Sequence, residues 1–339
     1  MNFKKLPKIE LHCHLDGSVR PETIIELSKL EGVKLPSYEI ETIKNNMIAP
    51  MECASLNEYL ERFEIPVAVM QSKESLKRIA YELMEDSAKE NIKYIEIRFA
   101  PLLHIDKGLS IEDVIESVLS GIREGEKNYD IKGNLILSFL RHMPIETVYE
   151  VIEIGRKYLQ KGVVAIDLCA SEEKGFCEKF IKPFLLGREY GYKVTIHAGE
   201  TGIGENVLDA IQTLGAKRIG HGIHIKNCKK AYDIVKEKNI VLEICPTSNV
   251  QTKAVDSFEN HPILDFYKDG IKVTINTDNR TVSNTTLTNE YNTVKDNFKI
   301  DLEIYKNIYF NSVEAAFTNL EIKEKLKEDF KKSIQSNIL

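Results

Sequence analysis

Hydrophobic positions along this chain follow two periods, and their alternation predicts an architecture. Eight short runs rich in aliphatic and β-branched residues recur: 8–15, 93–101, 134–142, 163–170, 193–200, 218–223, 241–249 and 272–279. Most gaps between them repeat apolar residues every three or four positions, the spacing of one helical face. Ser110–Lys127 is the clearest case. Ser110 with Asp113 forms a capping-box start, and Ile111, Val114, Ile115, Val118, Leu119 and Ile122 keep to one stripe. The segment 145–159 is similar. Strands alternating with helices imply parallel pairing through right-handed crossovers. Eight such units predict an α/β fold of the (β/α)8 TIM-barrel type, with a doubly wound open sheet as the alternative.

The stretch from 18 to 91, between the first two runs, is longer than one crossover helix requires. It reads as a helical insertion after the first strand. Within it Tyr59, Leu60, Phe63, Ile65, Pro66, Val67, Val69 and Met70 form a dense apolar segment. Such a segment either packs into the core or forms a lid that covers a site and excludes water. A barrel takes about 250 residues, so the 339 residues are read as one catalytic domain, 1–339, whose surplus lies largely in this lid insertion.

Composition narrows the function. Lys and Arg number 46 against 52 Asp and Glu, a formal charge of −6, which disfavours a polyanionic partner. The Lys-rich stretch from Lys323 to Lys332 is interleaved with Glu and reads as a solvated helix face. No run approaches the roughly 18 apolar residues of a membrane span, and Met1–Lys8 lacks the apolar core of a secretion signal. Cys13, Cys53, Cys169, Cys177, Cys228 and Cys245 are scattered, with no C-x-x-C pair, as expected of reduced thiols. The expected location is the cytoplasm.

Most of the runs end in chemically capable residues. In a barrel, strand C-termini open onto one face, so His14, Asp16, Asp167, His197, Glu200, His221 and Asp278 are expected to converge. His12 and His14, two apart on a strand, share a face and can chelate one ion, whereas Cys13 points away as an apolar filler. His197 ends the fifth run facing inward, Gly199 permits a sharp turn, and Glu200 is carried over the mouth. Thr274, Asn276 and Asp278 face inward at the eighth, and a buried carboxylate needs a cation. Three histidine nitrogens and one carboxylate make a zinc set with a position left for water. The fourth run ends Asp167-Leu-Cys-Ala170, without a lysine to bridge two metals, so one ion is expected and His221 is left for acid–base or electrostatic work. His104, His142, His224 and His261 are read as structural or surface residues. Neither a phosphate-binding glycine loop, nor a G-x-S-x-G elbow, nor an H-x-E with P-C-x-x-C is present.

The motifs His-x-His-Leu-Asp-Gly-Ser (12–18), Arg-Phe-Ala-Pro (98–101), His-Ala-Gly-Glu (197–200), Gly-His-Gly (220–222), Cys-Pro-Thr-Ser-Asn (245–249) and Asn-Thr-Asp (276–278) occur in an order that resembles the adenosine deaminase family, over about residues 7 to 330. The resemblance implies a barrel with one zinc held by His12, His14, His197 and Asp278. It also implies Glu200 as proton donor to the purine, His221 orienting the attacking hydroxide, and Asp278 or His221 taking the proton of the water. His14, Asp16, Ala170 and Asn279 would line the nucleoside, with Asp16 on the ribose. Two positions depart from the family. Ala170 stands where a glycine is frequent, and its N–H remains able to meet the purine. Asn279 stands where a second Asp commonly contacts N7, and an amide donates there at any pH. The implied reaction is hydrolysis of adenosine, and of 2′-deoxyadenosine, to inosine and ammonia in purine salvage. An adenine or modified-adenine-nucleotide deaminase, and a catalytically silent purine-binding relative, are the alternatives. Asp16 favours an uncharged nucleoside as the small-molecule partner, with no nucleic acid or membrane partner. The oligomeric state is left open.

Overall fold

The computed structural model describes residues 1–335. Eight strands run parallel in sequence order: β1 (Lys8–His14), β2 (Ile92–Phe99), β3 (Lys132–Leu140), β4 (Val163–Cys169), β5 (Lys193–Ala198), β6 (Arg218–His221), β7 (Val241–Ile244) and β8 (Val273–Ile275). The sheet curls until its ends meet. Beyond β8, Cys13 bridges Asp278 in parallel register; His14 N–H donates to the Asp278 carbonyl at 2.7 Å and Asp278 N–H to the His12 carbonyl at 2.9 Å. The fold is therefore a (β/α)8 barrel and not an open doubly wound sheet.

Every expected run contains a strand, but all eight strands stop one to five residues before the expected end. The largest difference is at β7, expected to reach Asn249. Pro246 supplies the first residue of a helix, Pro246–Gln251, and so ends the strand after Ile244. β8 likewise stops at Ile275, and 276–279 continue as irregular chain that bonds to β1. These overruns are the segments that bear chemistry, where side-chain contacts replace the ladder.

The helix Ile111–Asn128 begins with both bonds of the Ser110–Asp113 capping box. Between β1 and β2 lie the helices Pro21–Glu31, Ile40–Met47, Leu56–Leu60, Glu64–Val69 and Lys73–Lys89. Alternate strand residues such as Leu11, Ile97, Leu137, Leu168 and Ile196 are buried in the hydrophobic core. The inward set is unusually polar. Glu96, Arg98, Asp167, Arg218 and Glu243 are all at most 1% exposed and are bonded across the barrel. No helix among the described residues is long and apolar enough to cross a membrane.

Candidate active site

β1 and β5 bring His12, His14 and His197 to one rim, and the chain after β8 adds Asp278. His14 Nε2 lies 3.2 Å from His197 Nε2, while Asp278 Oδ1 is 3.2 Å from His12 Nε2 and 3.3 Å from His14 Nε2. All four candidate ligand atoms fall within 4.8 Å of one another. The partners behind them set the direction of each ring. His12 Nδ1 is 2.9 Å from Glu243 Oε2 and His197 Nδ1 is 3.0 Å from Asp167 Oδ1. Burial works against the charge of Glu243, but Arg98 and Arg218 hold its carboxyl well below the usual range. Burial likewise opposes Asp167, which His197 and Arg98 hold low. Both are therefore carboxylates that can only accept, so each ring carries its proton on Nδ1 and turns a lone pair inward from Nε2.

That arrangement is electrostatically incomplete. His12 Nε2 is buried without a hydrogen-bond partner, facing a carboxylate oxygen that is also an acceptor. Burial drives His14 well below an ordinary histidine, which leaves its ring neutral. Arg98 pairs with Asp167 and Glu243, and Arg218 with Glu96 and Glu243, whereas Asp278 has neither guanidinium as a partner. Inward lone pairs, an orphaned nitrogen and a buried carboxylate beside them together fit a single bound metal ion.

Gly199 has φ +70°, and this left-handed turn swings Glu200 over the rim, as the sequence suggested. Glu200 is 7% exposed, with Oε2 3.6 Å from His221 Nε2. At Gly220 a Cβ would stand 2.9 Å from His12 Cε1, so the bare backbone lets His221 and the ligand rings pack together. His221, Asp278 and Ala170 all have left-handed backbones, at φ +63°, +61° and +71°. Strain of this kind is held at functional sites by surrounding contacts. At Asp278 one such contact comes from Ser248, whose hydroxyl donates to Oδ2 at 2.6 Å.

A cavity of about 330 Å3 opens above these groups, bounded by His14, Asp16, Ala170, His197, Glu200, His221, Asp278 and Asn279. Asp16 Oδ1 is buried without a partner, and burial pushes that carboxyl up to about 6. Asn279 Nδ2 donates to the Tyr59 hydroxyl at 2.9 Å, which is 2.6 Å from Ser283 Oγ. The apolar segment of the insertion divides in two. Tyr59, Leu60, Phe63 and Val67 border the cavity, whereas Val69 and Met70 belong to the core. Of the four histidines set aside, His104 and His261 are buried, and exposed His142 reaches the cavity edge.

Several contributors are absent from the residues singled out in the sequence. Glu243 interrupts an apolar run, a signal that a buried charge needs partners. Ser248 lies within the 245–249 motif. Glu172, whose carboxylate grips the loop bearing Glu200, sits in a polar turn with nothing to mark it.

A parallel barrel with histidines and an aspartate gathered over its C-terminal rim defines a metal-dependent hydrolase. The sequence pattern of the family described as "Adenosine deaminase" matches residues 7–333. A protein named adenosine deaminase from Clostridium botulinum (strain 657 / Type Ba4) is 60% identical over 328 residues, covering 97% of this chain and 99% of that one. The chain belongs to the adenosine deaminase family. Among solved structures, an adenine deaminase from Arthrobacter aurescens superposes with a TM-score of 0.90 at 24% identity, covering 97% of this chain and 99% of its own. The Arabidopsis N6-mAMP deaminase gives 0.87 at 27% identity, with the same coverages.

Proposed function

We propose that this chain is a hydrolase that deaminates adenosine, and 2′-deoxyadenosine, to inosine and ammonia, with one zinc ion held by His12, His14, His197 and Asp278. The observation that carries the reading is the convergence of these four ligand atoms beneath a cavity that also holds Glu200 and His221. A metal ion bound there supplies Lewis acidity that lowers the pKa of a coordinated water from about 15.7 toward about 7.

The chain's own residues do the rest. Glu200 gives a proton to purine N1 as the oxygen of water adds to C6, where ring aromaticity is lost. Asp278 takes the proton released by that water and returns it to the exocyclic nitrogen; the C6–N6 bond then breaks, ammonia leaves, and the C6 hydroxyl gives its remaining proton back to Glu200 as it becomes the carbonyl of inosine. His221 directs the incoming oxygen. Asp16, with its unpartnered Oδ1, accepts from a ribose hydroxyl. That acceptor favours a nucleoside over adenine, which has no such hydroxyl. Ala170 offers its N–H and Asn279 its amide to the purine. Tyr59, Leu60, Phe63 and Val67 form a lid that keeps bulk water from the base. The role fits purine salvage in the cytoplasm.

The test is to follow the ultraviolet change as inosine forms from adenosine, in parallel with adenine and adenosine 5′-monophosphate, together with metal analysis. Turnover of adenosine well above the other two supports the reading. Preference for adenine or the nucleotide overturns the substrate, and absence of turnover with metal bound overturns the activity.

A further inference from the structure

His221 is set apart from His12 and His197 by what stands behind its ring. Its Nδ1 faces an amide, Asn249 Nδ2, at 2.9 Å. The direction of that bond follows from the atoms beyond it. Asn249 is fully buried in the helix Pro246–Gln251, and its Oδ1 lies 3.3 Å from the backbone N–H of Cys245, a group that can only donate. The same Oδ1 lies 3.3 Å from His261 Nε2. His261 Nδ1 in turn accepts from the Ile263 backbone N–H at 3.2 Å, so this buried ring carries its proton on Nε2 and donates to Oδ1. Two backbone N–H groups on either side of β8's preceding loop thus fix the polarity of the whole chain. With Oδ1 committed as acceptor, Asn249 Nδ2 must donate to His221 Nδ1.

We propose that Asn249, backed by His261, is a positioning residue that holds His221 as the Nε2–H tautomer, a hydrogen-bond donor toward the attacking oxygen. Carboxylates behind His12 and His197 make those rings ligands; an amide N–H behind His221 makes it a donor. The same device excludes His221 from a second metal group. His221, Cys245 and Asp278 have ligand atoms within 4.8 Å of one another, but His221 has no lone pair to give, since its Nε2 bears a proton and its Nδ1 accepts from Asn249. It also removes His221 as acceptor of the water's proton and leaves that role to Asp278. What the donor acts on rests on the deaminase reading above.

Long-range proton–nitrogen correlation spectra of the metal-loaded, 15N-histidine-labelled enzyme read the tautomer directly. The His221 signals are assigned by their loss in His221→Gln. The wild type is expected to show a protonated Nε2 and an unprotonated Nδ1. In Asn249→Asp the carboxylate oxygen facing the ring requires an N–H from Nδ1, so the Nδ1 signal becomes that of a protonated nitrogen. In that variant kcat for adenosine falls on the order of 10²–10⁴-fold, with KM within a few-fold and metal content unchanged. A wild-type Nδ1–H ring, or an Asn249→Asp enzyme with unchanged tautomer and kcat, overturns the proposal. Should that variant not fold, the wild-type spectrum alone decides. The spectrum involves no substrate, so an Nε2–H ring in a protein that does not deaminate adenosine overturns the functional reading and leaves this one standing.

Discussion

Glu172 holds the backbone on which Glu200 rides. Its Oε1 accepts from the N–H groups of Glu200 at 2.6 Å and Thr201 at 2.9 Å; its Oε2 accepts from Gly199 N–H at 3.0 Å and Asn206 Nδ2 at 2.8 Å. Three consecutive amides point at one carboxylate, which is how a left-handed turn at Gly199 is kept rigid. Glu172→Gln replaces one acceptor oxygen by a donor and leaves at least one buried N–H unpaired, at about 1–3 kcal/mol. The expected outcome is a lower unfolding midpoint, a kcat reduced by roughly tenfold or more and unchanged metal content. Thermal unfolding, steady-state kinetics and metal analysis measure the three. Unaltered stability and kcat would show that the loop holds Glu200 without this grip.

Glu200 itself is expected to matter for chemistry and not for the metal, since its carboxyl is not among the four ligand atoms. Glu200→Gln keeps the shape and the ability to donate a hydrogen bond but cannot transfer a proton. Turnover of adenosine should fall by roughly 10²–10⁴-fold with metal content intact. Near-normal turnover in that variant removes Glu200 from the reaction.

The barrel and the convergence of the four candidate metal ligands were legible in the sequence because both rest on short-range regularities. His12 and His14 are neighbours on one strand face, and His197 and Asp278 each end an alternating run, so topology alone brings them together. Strand ends were legible only coarsely, because Cys245–Asn249 and Asn276–Asn279 continue a polar-tipped pattern while side-chain contacts take over from the ladder. Glu172 was invisible for a different reason. Its partners are backbone amides 27 to 29 residues away, and backbone amides leave no signature in a sequence. The identity of a buried charge such as Glu243 was readable, but its role depends on four strands at once, through His12, Arg98, Thr195 and Arg218.

Asn279 bonds the Tyr59 hydroxyl of the insertion, and both side chains line the cavity where the purine is proposed to sit. An amide at this position donates to a ring nitrogen without needing a proton from solution. Asn279→Ala removes that donor and is expected to raise KM for adenosine roughly tenfold, the equivalent of one lost hydrogen bond. Asn279→Asp restores a donor only in its protonated form, so its kcat/KM should decline with rising pH more steeply than that of the wild type. Steady-state kinetics at several pH values test both. Unchanged KM and kcat in Asn279→Ala would mean that the side chain does not touch the base.

His104 links stability to pH away from the candidate metal site. It is fully buried and stacked on Phe99 with ring centroids 5.6 Å apart, and its Nδ1 lies 3.1 Å from the Met70 carbonyl. Burial lowers it to about 4, from 6.5 in an exposed chain. Below pH 6.5 the unfolded chain binds a proton that the folded one does not. The contribution is therefore complete above that pH and lost as pH falls toward 4. Between pH 7 and 4.5 the wild type should lose on the order of 2 kcal/mol more stability than His104→Phe. Denaturant titrations of both proteins at the two pH values give that difference, and parallel losses would rule it out.

Ala170 carries the strain that a glycine would avoid. At φ +71° its Cβ crowds the backbone, a conformation that costs an L-residue roughly 1–2 kcal/mol. Its carbonyl is nonetheless held in place by the Arg141 guanidinium, which also binds the carbonyls of Leu168 and His197. Three strand-end carbonyls gathered on one buried cation fix the turn and keep the Ala170 N–H beside the cavity. Ala170→Gly relieves the strain, while the greater freedom of glycine in the unfolded chain offsets about 0.5–1 kcal/mol of the gain. The net expectation is a small rise in unfolding midpoint, with kcat/KM within about twofold because the N–H is unchanged. Ala170→Val should do the opposite on both counts, since a β-branched residue resists a positive φ more strongly and its methyls enter the cavity. Thermal unfolding and kinetics of the pair separate backbone strain from pocket volume. A glycine variant less stable than wild type would mean that Arg141 alone dictates the turn and that the alanine Cβ contributes packing instead of strain.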